Sequence, residues 1–198
     1  MRQFVVIGHE APTTPDFALE DLPGAAGRLD LLSRSITAAF LRSHGLREDV
    51  RFRLILGDEF TLRFEGAKLQ GLNPDERSTA ARVRSALKQR EGAIGHQAVE
   101  TSPGIYLSRR GVEAALRDAA EEGTLLQLHE DGRPIVESAP SEDPVFVLSD
   151  HRDFTAEEQA LLDELDAERV SLGPNAIHAD HAISVVHNYL DTDGYERY

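Results

Sequence analysis

The sequence predicts an α/β fold with a parallel sheet, and three observations carry that expectation. Residues 145–148 form an apolar run with two β-branched members that stops abruptly at Ser149, Asp150 and His151. Residues 169–172 form a second short strand, stopped by Gly173, Pro174 and Asn175. Between them Thr155 and Glu158 have the spacing of a capping box, which opens a helix over residues 156–166. Buried strands that alternate with helices pair in parallel. Ligands of such sheets sit beyond the carboxyl ends of the strands, so the two polar turns are the expected ligand site.

The remaining elements follow in chain order. Residues 3–7 (Gln-Phe-Val-Val-Ile) read as a strand that ends at Gly8, and residues 13–26 as a loop. In residues 28–44, Leu29, Leu32, Ile36, Ala39 and Phe40 recur at helical spacing, with Gly45 as the stop. Residues 50–56 alternate apolar side chains with Arg51 and Arg53, the pattern of a half-buried strand. Gly57 and Asp58 turn it into a return strand over residues 60–64. Asn73 is placed to cap a helix, with Pro74 at its first position and acidic residues in its first turn, and the helix runs to about Lys88. A short strand is expected over residues 104–107 and a helix over 108–122, stopped by Gly123. Residues 125–128 and 134–136 flank Glu130-Asp131-Gly132, which reads as a β-hairpin. Residues 138–143 are an acidic linker, and residues 179–189 the last helix. With no internal repeat, the whole of 1–198 is expected to be one domain.

Composition narrows the class. The chain has 198 residues and no cysteine, which excludes disulfides, thiolate metal sites and cysteine nucleophiles and fits a reducing cytoplasm. No stretch approaches the roughly 18 apolar residues of a membrane helix, and the N-terminus lacks a basic leader, so a soluble, cytoplasmic protein is expected. The net charge is −14, and only Lys68 and Lys88 are lysines among 21 basic residues. An acidic surface nearly free of lysine points to high salt, where a Debye length of about 3 Å screens carboxylate repulsion. Acidity therefore does not exclude a nucleic-acid partner; a local arginine cluster would indicate one.

Candidate chemistry in the polar turns is restricted. His178, Asp180 and His181 stand together near Asp150 and His151, and a metal site is conceivable from residue type. The spacing is loose, however, and first-turn and hydrogen-bonding roles explain the same residues, so no metal is expected. Ser149, Asp150 and His151 are contiguous, whereas a catalytic triad converges from separate segments. There is neither a Walker loop nor a dinucleotide-binding glycine motif.

The motifs also carry a family likeness. Residues 146–151 (F-V-L-S-D-H), 171–183 (S-L-G-P-N-A-I-H-A-D-H-A-I) and 187–191 (H-N-Y-L-D) resemble the archaeal tRNA pseudouridine-54 N1-methyltransferases, the TrmY family of the SPOUT superfamily. Residues 6–17, 24–30 and 72–78 resemble it too, so the likeness spans nearly the whole chain. It implies a SPOUT methyltransferase fold with a deep C-terminal trefoil knot, S-adenosyl-L-methionine as cofactor, the T-arm of tRNA as partner, and a homodimer in which Tyr189 and the last helix pack on the second subunit. Leu148, Ser149, Leu172, Gly173, Pro174, Ile177 and Ala182 would contact the cofactor, mostly through backbone groups. Many relatives carry cysteine where Ala182 stands. By analogy with related ribosomal-RNA enzymes, Arg28 would bind substrate and stabilise its anion, and Asp30 would remove or orient the proton. Arg34, Arg77, Arg109 and Arg110 would meet the tRNA backbone. Pseudouridine in small-subunit ribosomal RNA is the alternative substrate, and a non-catalytic RNA-binding SPOUT module the alternative class.

Overall fold

The computed structural model describes residues 1–137 and 141–198, so the expected linker at 138–143 lies partly outside the described residues. Among the described residues the strands form one eight-stranded sheet in the order β4-β5-β3-β2-β1-β7-β6-β8. In chain order the elements are β1 (Arg2–Gly8), α1 (Leu22–Ala25), α2 (Leu29–Phe40), β2 (Val50–Leu56), β3 (Phe60–Glu65), α3 (Glu76–Leu87), β4 (Val99–Ser102) and β5 (Ile105–Ser108). They continue with α4 (Val112–Glu122), β6 (Thr124–Pro134), β7 (Pro144–Ser149), α5 (Ala156–Glu164), β8 (Glu168–Ser171) and α6 (Ala179–Asp191).

β2, β1, β7, β6 and β8 run parallel, and β3, β5 and β4 continue the sheet as antiparallel neighbours. Helices cover both faces, which is why β1 and β7 are continuous apolar runs. Side chains alternate between faces along a strand. Phe4, Val6, Phe146 and Leu148 face α2 and α6, while Val5, Ile7, Val145 and Val147 face α4 and α5. Arg53 is buried because α4 covers its face: it donates to Gln3 Oε1 at 2.6 Å and pairs with Glu122 at 2.6 Å. β2 is therefore buried on both faces, not on one as its alternation suggests.

Four expectations change for identifiable reasons. Residues 22–25 of the expected loop form a helical turn, because Asp21 caps Gly24 N and Pro23 suits the first turn. α2 ends at Phe40, since Leu41 turns extended to bridge Leu46 and Phe40 O accepts from Arg47 N. α3 starts after Asp75, whose carboxylate accepts from Ser78 N, and not after Asn73. α4 starts only at Val112, because residues 105–108 are consumed by β5.

The C-terminal half departs most. β7 and β8 are parallel but not adjacent; β6 lies between them and pairs with both. The Glu130-Asp131-Gly132 segment is not a hairpin turn. β6 resumes after it, so that Leu128 and Arg133 both lie opposite Val170 in the same parallel sense. Backbone groups on both sides thus find partners on β8, and residues 129–132 loop outward. Gly132 is needed there, because a Cβ would fall 2.5 Å from the Val170 carbonyl carbon.

Candidate active site

The parallel strands β1, β6, β7 and β8 end on one side, and their polar continuations meet there. A cavity of about 470 Å³ opens between them. It is lined by residues 128–130 in the middle of β6, 148–154 at the end of β7, and 172–182 leading into α6, Pro174 and Asp180 excepted. The size suits a cofactor-sized ligand. The wall at 172–177 offers mainly backbone and small side chains; the Cβ position of Gly173 has nothing within 4 Å, so a ligand can approach the main chain there. Of the residues expected to bind cofactor, Leu148, Ser149, Leu172, Gly173, Ile177 and Ala182 line this cavity. Pro174 shapes the same turn without lining it. Leu128, His129 and Glu130 are not legible as site residues because the segment reads as a hairpin, although 125–128 (Leu-Leu-Gln-Leu) is a mostly apolar stretch that stops at His129 and Glu130.

The loop after β7 is anchored by the residue that follows β1. His9 Nδ1 lies 3.0 Å from Asp150 Oδ1 and Nε2 lies 3.0 Å from Glu158 Oε2, while His9 N donates to Asp150 Oδ2 at 2.8 Å. Carboxylates at both ring nitrogens favour the doubly protonated ring, in which both nitrogens donate. Burial alone would lower its pKa, but the hydrogen bonds and charges of Glu158 and Asp150 outweigh that and raise it. Glu158 also accepts from Thr155 N in the capping box, so one histidine ties β1, the cavity loop and α5 together. Glu10 adds an ion pair to Arg152 on the same loop.

A second cluster adjoins the cavity through α6. Arg28 caps α2 in the left-handed region, with φ of 58°. Its side chain forks onto Asp30, with Nε to Oδ1 at 3.0 Å and Nη2 to Oδ2 at 3.1 Å. A non-glycine residue held there is strained, a feature that clusters at functional positions. Burial favours the neutral Asp30 acid, but the Arg28 bonds outweigh this and hold the carboxyl below its usual range. Arg34 connects Asp30 at 3.5 Å, Glu76 at 2.8 Å and Asp180 at 3.1 Å. Asp180 sits in the first turn of α6, directly between cavity-lining residues, and its Oδ1 is buried without a hydrogen-bond partner. Arg28 and Asp30 are thus brought together and linked to α6, without lining the cavity themselves.

Other expected residues fare differently. Arg109 pairs with Glu59, Arg110 with Asp118 and Arg77 with Glu20, and Arg34 is held by the three carboxylates above. Tyr189 is 2% exposed and packs edge-on to Tyr195 within its own chain, so it offers no surface to a second subunit. His178 and His181 stand with ring centroids 6.3 Å apart, and among the described residues no group of three His, Asp or Glu is arranged to hold a metal. No helix among them is long and apolar enough to cross a membrane.

Comparison with known proteins places this geometry. A family described as "Putative SAM-dependent RNA methyltransferase" matches residues 1–195. A protein of Haloarcula marismortui named tRNA (pseudouridine(54)-N(1))-methyltransferase is 67% identical over 198 residues, covering 100% of both chains. Proteins of the same name from Haloferax volcanii and Methanosarcina mazei are 60% and 43% identical, covering 100% of this chain and 100% and 94% of theirs. The crystal structure of Archaeoglobus fulgidus Nep1 bound to S-adenosylhomocysteine superposes with a TM-score of 0.65 at 16% identity, covering 99% of this chain and 97% of that one, a likeness of fold.

Proposed function

The chain belongs to the SAM-dependent RNA methyltransferase family matched over residues 1–195, and on that premise we propose that it methylates N1 of pseudouridine 54 in the T-loop of tRNA. One observation carries the reading. The 470 Å³ cavity at the strand ends, lined by six of the seven residues expected to hold S-adenosylmethionine, adjoins the Arg28–Asp30–Arg34 cluster through the first turn of α6. Full-length identity to proteins named for the tRNA reaction favours that substrate over ribosomal RNA.

The residues present fit the cofactor. The turn at 172–177 presents main chain beside open space at Gly173, and Leu148, Ile177 and Ala182 supply apolar walls for a flat ring. Bound there, S-adenosylmethionine supplies a sulfonium methyl open to displacement by a nitrogen lone pair. Pseudouridine is C-linked to its ribose, so N1 still carries a proton, which would pass to solvent water as the N–C bond forms and the S–C bond of the methyl group breaks. A fixed cation beside that nitrogen stabilises the developing anion in a site of low dielectric. Arg28 fills this role in our reading. Asp30, with both oxygens bonded and low proton affinity, orients Arg28 more readily than it removes the proton.

The proposal extends to architecture. The C-terminal segment forms the SPOUT trefoil knot, a reading supported by the insertion of β6 between β7 and β8 and by the likeness of fold to Nep1. The 198 residues act as one cytoplasmic domain, supported by a sheet that incorporates strands from Arg2 to Ser171. A second copy closes the cavity mouth, where Ile177 is 46% exposed, to give a homodimer.

Methyl transfer from labelled cofactor to two T-arm RNAs, identical except for pseudouridine or uridine at position 54, tests the function. Transfer to the pseudouridine RNA alone is expected. In that assay Arg28→Ala should lower kcat about 100-fold, the scale of one preorganised charge donor, and Asp30→Asn less. Cofactor binding without transfer to either RNA, but with transfer to a ribosomal fragment, overturns the tRNA assignment.

A further inference from the structure

We propose that α3 is the RNA-backbone docking helix, an inference that rests on the RNA reading above. Residues 77–90 hold five of the chain's 21 basic residues, Arg77, Arg82, Arg84, Lys88 and Arg90, and none of its 35 acidic ones. On a chain of net charge −14 this is a marked segregation of charge. At 100° per residue, Arg77, Arg84 and Lys88 fall within about 40° of one another on the helix. Ala80, Val83 and Leu87 occupy the buried side, which packs against the core.

Two of the three cations on this stripe are open to a phosphate, and the third is held only by an exposed ion pair. Among the described residues neither Arg84 nor Lys88 has a carboxylate within ion-pairing distance. Arg82 donates to Gly71 O, a neutral acceptor. The Arg77–Glu20 pair is exposed on both sides, 64% and 68%, and such a pair contributes about 0–1 kcal/mol, which a phosphate can readily replace. Of the four arginines expected from sequence to meet RNA, Arg77 lies on this stripe, whereas Arg34, Arg109 and Arg110 lie elsewhere and are paired with carboxylates.

Position supports the same partner. The first residue of α3, Glu76, holds Arg34, which holds Asp180 at the start of the cofactor helix. The stripe therefore starts at the reaction cluster and leads away from it, with cations about 10 Å and then about 6 Å apart along the axis. A strand of phosphates laid on it would deliver one nucleotide to the cluster. At molar salt only contact-range charge pairs survive screening, so cations that touch phosphate directly are what such an enzyme needs.

The test is binding of a pseudouridine-containing T-arm hairpin to the full chain, followed by anisotropy from 0.2 to 0.8 M KCl, with folding monitored by circular dichroism. The double variant Arg84→Ala/Lys88→Ala is compared with wild type and with Arg117→Ala on α4. Removing two phosphate contacts should flatten the plot of log affinity against log salt by about 1.8, so the fourfold salt rise weakens the variant about twelvefold less. KM for RNA should rise while cofactor affinity stays constant, and Arg117→Ala should behave as wild type. A variant slope equal to that of wild type overturns the docking helix and leaves the methyltransferase reading intact. So does loss of a dimer with the RNA slope unchanged, which would make the stripe a subunit contact. Wild type that binds cofactor but no RNA overturns both.

Discussion

Acidification should loosen the last helix, and the imidazole of His187 sets by how much. His187 is 4% exposed, and its Nε2 lies 3.0 Å from the carbonyl oxygen of Ala39 on α2. A carbonyl only accepts, so Nε2 carries the hydrogen, and Nδ1 accepts from Arg2 Nη1 at 3.2 Å. A second proton would sit on Nδ1, facing a guanidinium. Burial above all, and then the charges of Arg47 and Arg2, lower the pKa from 6.5 to about 4. Between those values the unfolded chain binds a proton that the folded one refuses. The stability that His187 contributes is therefore complete above about pH 6.5 and lost as pH falls towards 4. A gap of about 2.5 units at roughly 1.4 kcal/mol each is about 3.5 kcal/mol, of which about 3 kcal/mol is lost between pH 7 and 4, a large part of a typical stability of about 5–15 kcal/mol. Urea unfolding at fixed salt, in steps from pH 7 to 4, measures it in wild type and His187→Gln. The variant should be weaker at pH 7 but flatter with pH by about 3 kcal/mol. Parallel curves would refute the assignment of the tautomer and its cost.

Two further predictions concern residues that hold the strand ends around the cavity. His9→Ala removes two charge-assisted bonds from Asp150 and Glu158, and Asp150 has no exposed side-chain surface. It should cost about 2–4 kcal/mol at pH 6 and weaken cofactor binding, by calorimetry. The wild-type pKa is raised above 6.5, so this advantage is present below that pH and fades as pH rises through the raised value; an equal difference at pH 6 and pH 9 would contradict it. Gly132→Ala places a methyl 2.5 Å from the Val170 carbonyl carbon, pushing β6 from β8, and should cost about 1–3 kcal/mol in thermal unfolding; an unchanged midpoint would contradict the contact.

Local signals are legible in the sequence, and long-range ones are not. The strands at 145–148 and 169–172, the capping box at Thr155 and the turn at Gly57-Asp58 are encoded by neighbours within a few residues, and the structure has them. The placement of β6 between β7 and β8 is not so encoded. Its Glu130-Asp131-Gly132 segment satisfies a turn pattern, while pairing with residues some 40 positions away decides the outcome. β4, Val-Glu-Thr-Ser, is a polar edge strand with no apolar period to find. In the site, the turn residues at 148–149 and 172–177 were legible because a strand stops there. His9 was not, since its partners are 141 and 149 residues away. Even so, β1 also ends on a polar residue after an apolar run, a cue that periodicity within one segment underuses.

The place of β1 in the sheet has a consequence for biosynthesis. β1 leaves the ribosome first, yet one of its edges waits for β7, about 140 residues later. At roughly 5–20 residues per second that interval is about 7–28 s. For most of it a strand with an apolar centre has only β2 as a companion, and its other edge can template pairing with any extended chain nearby. Translation speed across residues 66–143, and protection of that edge by a chaperone, should therefore govern the yield of folded enzyme more strongly than the stability of the finished sheet.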